Sequence, residues 1–268
     1  MFSRIVCCFF HVAPTLYLFQ SPFSGYAEVA NCLLEHGAGI DRTTEDGLTP
    51  LHVAVIEGHQ TVVTMLLGMG AGTSWTTVDG TTALHAAAEC GRPDMAAQLI
   101  ECGARLGCER LDGFSPLHTA AALGEEGVVS VLLNRLYNGG AAPTVERCTA
   151  KGETPLLLAA TEGHRGVCML LLEAGAVVDR ATDGGRTPLI AAAARGQAAT
   201  VELLLESGAN KVHETSSGET AAVLASAGGF AEVEAILASV GGCREGGDVG
   251  TVRDGGAESE EAARLEYV

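Results

Sequence analysis

Lysine is all but missing from this chain of 268 residues. Only Lys151 and Lys211 occur, and 33 Asp and Glu outweigh 16 Lys and Arg, for a formal net charge of -17. A phosphate-binding surface needs clustered cations that displace counterions. The arginines here are scattered, so composition argues against direct binding of nucleic acid or of an anionic membrane. It favours other proteins as partners, those with a basic surface among them. Aromatic residues are scarce too, at 4% against 47% apolar residues in all. A core must therefore be built from Ala, Leu and Val, which suits thin, closely stacked helices. No run of 18 clean apolar residues occurs, so no ordinary membrane span is expected. Nine cysteines, an odd number, include no Cys-x-x-Cys pair and follow no period. That pattern gives no disulfide framework and fits free thiols in a reducing compartment, the cytoplasm or the nucleus. The signatures of a serine nucleophile elbow, a phosphate loop, a zinc protease helix and an EF-hand are all lacking. No enzyme activity, cofactor or metal site is expected.

What the chain does have is repetition. Thr49-Pro50-Leu51-His52, Thr82-Ala83-Leu84-His85, Ser115-Pro116-Leu117-His118, Thr154-Pro155-Leu156-Leu157, Thr187-Pro188-Leu189-Ile190 and Thr220-Ala221-Ala222-Val223 start 33, 33, 39, 33 and 33 residues apart. Nine residues after each start stands a glycine: Gly58, Gly91, Gly124, Gly163, Gly196 and Gly229. A fixed period of this size marks a stacked solenoid. In one unit, Asp46-Gly47 is a turn dipeptide. Thr49 is placed to cap a short helix, and Pro50 fits its first position. Leu51, Ala54 and Val55 form its apolar stripe, and Gly58 ends it. A second helix is predicted from about Gln60 to Gly68, with Val62, Val63, Leu66 and Leu67 on one face. A helix pair of this size buries its apolar face only by stacking on its neighbours.

The recurring Thr-Pro-Leu-His-x-Ala-Ala-x-x-Gly pattern, followed by Val-Val-x-Leu-Leu-Leu-x-x-Gly-Ala, resembles the ankyrin repeat. The resemblance covers residues 25–240, in units of about 25–43, 44–76, 77–109, 110–148, 149–181, 182–214 and 215–240. It implies an all-α fold, an α-solenoid of stacked helix-turn-helix units with β-hairpin-like fingers. It also implies a non-catalytic interaction scaffold or adaptor, binding proteins along the concave face made by fingers and first helices. A monomer is expected. His52, His85 and His118 hold one register position, and the family reading is that this side chain bonds backbone and steadies the stack. Leu157, Ile190 and Val223 replace it in the last three units, so bonding between units should change there.

Both ends differ from the repeats. Residues 1–24 hold five of the seven phenylalanines. They read as a degenerate cap, as sequence joined from another frame, or as a weak signal or anchor. Pro22 opposes the cap, because it would lie inside the first helix. The foreign start also motivates a second reading of the whole chain, as the regulatory or targeting arm of a larger enzyme, ubiquitin-ligase subunit or channel. Residues 241–268 are Gly-rich, then acidic, with too few large apolar residues to bury, and read as a disordered tail. Glu232 and Glu234 should face solvent on a closing cap whose Val233, Ile236 and Leu237 pack inward.

The register nominates a binding surface. Finger positions lie one, three and four residues before the motif Thr, and exposed first-helix positions lie seven and eight after it. They supply Glu45, Asp46, Leu48 and Ile56, then Val78, Asp79 and Glu89, then Leu111, Asp112, Phe114 and Leu123. Trp75 adds the only indole, and aromatic anchors inside a polar rim often centre an interface. The fourth unit carries six extra residues after its second helix. Leu136 to Pro143 reads as a surface loop, with Tyr137 as a further candidate contact.

Overall fold

The structure, a computed structural model, describes residues 30–32, 34–139 and 144–239. The atypical stretch 1–24 and the tail 241–268 lie outside the described residues. Each motif starts a helix pair. The pairs are α1 (Pro50–Glu57) with α2 (Gln60–Gly68), α3 (Ala83–Glu89) with α4 (Pro93–Glu101), and α5 (Pro116–Leu123) with α6 (Glu126–Gly139). Then come α7 (Pro155–Glu162) with α8 (Arg165–Glu173), α9 (Pro188–Ala194) with α10 (Ala198–Glu206), and α11 (Ala221–Gly228) with α12 (Ala231–Ser239). Helical backbone is also present at 30–32 and 34–35, at the end of the first, partial unit.

The local rules act as expected. The backbone of Thr49 is extended (φ -87°, ψ 166°), and its hydroxyl accepts from the His52 N–H. Thr82, Ser115, Thr154, Thr187 and Thr220 do the same one unit at a time. Such a cap is worth about 1 kcal/mol. The helix-ending glycines adopt positive φ, as at Gly58 (79°) and Gly124 (79°). They answer to a second constraint. A Cβ on Gly124 would stand 2.5 Å from the His164 ring, and one on Gly58 would stand 2.8 Å from the Arg92 guanidinium. The side chain ten residues after each motif Thr therefore lies over the helix end of the preceding unit.

Each first helix packs on its own second helix and on the first helices before and after it, and second helices stack likewise. Leu51, Leu84, Leu117, Leu156 and Leu189 repeat in register and are all buried. Full burial of one leucine stabilises by about 2 kcal/mol. At α12, Val233 and Leu237 are buried and Ile236 packs on the core, and Glu232 faces solvent as expected, but Glu234 is half-buried.

Two expectations change. The insertion in the fourth unit is not all loop: α6 has 14 residues where the other second helices have nine. Gly70, Gly103, Gly175 and Gly208 end α2, α4, α8 and α10 with positive φ. The same register position in this unit is Leu136, which continues the helix. The fingers are also less strand-like than a hairpin. Thr77 N–H donates to the Thr81 carbonyl (2.9 Å), and Gly80 N–H donates to the Thr77 carbonyl (2.9 Å). Among the described residues the only bridge is Thr76–Thr82. The legs are too short to ladder further.

Candidate protein-interaction surface

Hydrogen bonds between neighbours fix the fingertips. Val78 N–H donates to the Asp46 carbonyl (3.1 Å), Leu111 N–H to Asp79 (3.0 Å) and Ala150 N–H to Asp112 (3.3 Å). These backbone bonds aim the side chains outward. Val78 is 74% and Leu111 82% exposed, the two largest values among the large apolar residues described. Behind them, on the first-helix ends, Ile56 (38%) and Leu123 (49%) are also exposed. Glu45, Asp46, Asp79, Glu89 and Asp112 are exposed around these apolar groups. Hydroxyl bonds, first from Thr77 and then from Thr81, hold the Asp79 carboxyl below the usual range.

Other nominated residues are placed differently. Leu48 is half-buried and packs on the core. Phe114 is half-buried too, its ring 5.9 Å from that of His118. A residue immediately before the capping Thr or Ser turns inward at these two fingers, so neither is an exposed anchor. Trp75 is 46% exposed, and its indole folds over Gly72, where a Cβ would lie 2.7 Å from Nε1. Tyr137 belongs to α6 rather than to a loop, and its side chain lies outside the described residues. Position seven after the motif is not uniformly exposed. Thr161 is buried, and its hydroxyl donates to the Leu157 carbonyl (2.7 Å).

Arg110 is the residue that spacing alone did not single out. It takes the finger position held by Thr44, Thr77, Thr149, Thr182 and Thr215 in the other units. Its guanidinium reaches Asp79 (3.8 Å) and Asp112 (3.6 Å). The signal was there, as a single break in a row of threonines. No ion pair reaches Glu45, Asp46, Glu57 or Glu89 among the described residues.

The motif histidines are joints of the stack. The Thr49 backbone N–H donates to His52 Nδ1 (3.3 Å), so that nitrogen is an acceptor and Nε2 carries the proton. Nε2 donates to the Thr81 carbonyl of the next unit (3.2 Å). His85 reaches the Phe114 carbonyl (3.0 Å) and His118 the Arg147 carbonyl (3.0 Å). Burial, the largest cause, lowers all three pKa values from 6.5 and keeps the rings neutral. His164 takes a different role, with Nε2 on the Ala122 carbonyl (3.1 Å).

No cluster of three or more metal-ligating side chains occurs among the described residues. Burial first, then Glu89, pushes the Cys90 thiol up, and burial pushes Cys168 up to about 12, so neither is an activated nucleophile. Among the described residues no helix is long and apolar enough to cross a membrane. A family model of ankyrin repeats in three copies matches residues 16–76, 69–145, 102–182 and 134–215. The chain belongs to the ankyrin-repeat family. No curated protein matches it. Ankyrin repeats are in general protein–protein interaction modules.

Proposed function

We propose that this ankyrin-repeat chain is a non-catalytic scaffold or adaptor. It holds partner proteins on the concave face of units 44–76, 77–109 and 110–148. The observation that carries the reading is the pair Val78 and Leu111. Two apolar side chains stand in water at equivalent positions of adjacent fingers, on a backbone that neighbouring units hydrogen-bond into place. Exposed apolar groups ringed by polar ones mark interaction surfaces. The carboxylates Glu45, Asp46 and Glu89 beside them, with no ion pair among the described residues, favour a partner with a basic surface. Neutral histidine joints suit a structural role, the free cysteines among the described residues suit a reducing compartment, cytoplasmic or nuclear, and a monomer suffices for it.

The test is affinity capture with the full chain and with a Val78→Asp, Leu111→Asp, Leu123→Asp variant. All three sites are exposed, so the fold should survive. Partners bound by the wild type should be lost or weakened about tenfold or more, the scale of a lost hot spot. Identical partner sets from both proteins would sink the assignment of this face.

A further inference from the structure

Resting on the concave-face reading above, we infer that the occupant of fingers 77–81 and 110–114 is a linear, basic segment of a partner. It places two apolar side chains about one repeat apart and Lys or Arg beside them.

The geometry sets the spacing. Val78 and Leu111 hold the same finger position in successive units, linked by the Leu111 N–H bond to the Asp79 carbonyl. Stacked helices lie about 8–10 Å apart, a distance that roughly three residues of extended chain span. A ligand side chain on Val78 and another on Leu111 thus come from positions i and i+3 of a polyproline-II-like segment, whose three residues per turn and rise of about 3.1 Å per residue put those two side chains on one face.

The charge sets the chemistry. On the fingertip after each apolar group stands an aspartate, Asp79 or Asp112. Arg110 already lies between these two, at 3.8 and 3.6 Å. Its single charge leaves that pair of carboxylates net negative. One unit earlier, Glu45 and Asp46 occupy the same two finger positions with no ion pair among the described residues. One unit later the row becomes Ala150 and Lys151, and then Asp183 and Gly184. The apolar, acidic stretch therefore has two ends. Lys151 repels a cation at one end, and Glu45 with Asp46 attracts one at the other. That asymmetry gives the segment a direction, with its most cationic end over Glu45 and Asp46. The segment gains apolar contact at the centre and specificity from the charges at the rim.

The experiment is selection of random peptides of about 12 residues, displayed on phage, against the full chain, followed by titration of the enriched peptides. Expected are sequences with two apolar residues three apart and Lys or Arg flanking them. Their affinity should fall about tenfold or more on Val78→Asp/Leu111→Asp and weaken as salt rises. Glu45→Lys/Asp46→Lys should weaken cation-ended peptides while leaving thermal stability unchanged. Enrichment of acidic or charge-indifferent peptides would overturn the inference, as would binding indifferent to the finger variants or no enrichment at all. Those results would leave the scaffold reading standing if the capture variant still loses its partners. Loss of both would remove the surface itself.

Discussion

Units 44–76 to 110–148 and units 149–181 to 215–240 build the same joint from different chemistry. In the first three, a histidine at the third helical position closes both sides of the joint. Nδ1 accepts the N-cap backbone N–H, and Nε2 donates to a carbonyl of the segment that leads into the next motif. In the last three the position is Leu157, Ile190 and Val223. The Thr hydroxyl still caps the helix, at 3.2, 3.3 and 3.4 Å from the N–H it accepts, but the return bond is gone. Leu157 and Ile190 are nonetheless buried, whereas Val223, with no following unit among the described residues, is 54% exposed. The last observation shows what the position is for. Its side chain is covered by the following unit, not by its own. The stack needs that contact and tolerates either a hydrogen bond or apolar area in it.

If so, truncating either kind of joint should cost much the same, for different reasons. Ile190→Ala removes buried apolar volume and should destabilise by about 3 kcal/mol. His85→Ala leaves a cavity and strips the Thr82 N–H and the Phe114 carbonyl of a partner, again at about 3 kcal/mol. Urea unfolding near neutral pH measures both. His85→Leu separates the terms, since it keeps the volume and loses only the bonds. It should cost about 1–2 kcal/mol. A His85→Leu variant as damaged as His85→Ala would mean that the hydrogen bonds alone carry the joint, and the two halves would not be equivalent.

Acid should tell the halves apart. The three motif histidines are neutral in the fold because burial lowers their pKa from 6.5. The unfolded chain therefore takes up protons that the folded chain does not. Their contribution is fully present above pH 6.5 and is lost as pH falls from there toward the lowered folded values. The direction is opposite to that of a histidine stabilised by a carboxylate. Amide protection factors, taken against the intrinsic rate at each pH, should fall in α1, α3 and α5 between pH 7.5 and 5, while α7 and α9 keep their protection. A triple His52→Leu, His85→Leu, His118→Leu variant should be less stable at pH 7.5 but flatter across that range. An equal loss of protection in α7 and α9 would show that other groups govern the acid response.

Much of this contrast was legible in the sequence. The period placed all six motif caps and the boundaries of α2 to the residue, because Thr, Pro and Gly act within one turn of where they stand. The His-to-Leu change was visible for the same reason. Exposure at the fingers was read less well. Leu48 and Phe114 share a register position with Thr81, Glu153 and Arg186, and a period cannot say whether an apolar side chain there turns back onto the core. The pairing of Arg110 with two aspartates, and the side chains that roof the glycines of the preceding unit, depend on contacts one repeat away. Those contacts follow from how units stack, not from which residues recur.

The fourth unit joins the two halves and departs from both, and it allows the gentlest test. Despite six extra residues, His118 still bonds forward, but to the Arg147 carbonyl, seven residues before Thr154, where His52 and His85 reach the residue just before the next motif. The His118 ring lies between the carbonyls of Glu153 and Arg147, one and seven residues before the motif, as the His52 ring lies between those of Thr81 and Trp75, so the joint keeps its place and α6 has absorbed part of the insertion as helix. Leu136 is the cause assigned to that extra helix, since glycine ends α2, α4, α8 and α10 at this position. Leu136→Gly should therefore lower amide protection at 136–139 and change global stability by less than about 1 kcal/mol, the usual cost of one glycine in a helix. The His118 ring should titrate as before, because its partners lie outside the lengthened turn. If protection at 136–139 is unchanged, packing rather than the missing glycine holds the extra turn. If instead the His118 titration moves, helix length and joint are coupled, and the insertion is a working part of the boundary between the halves.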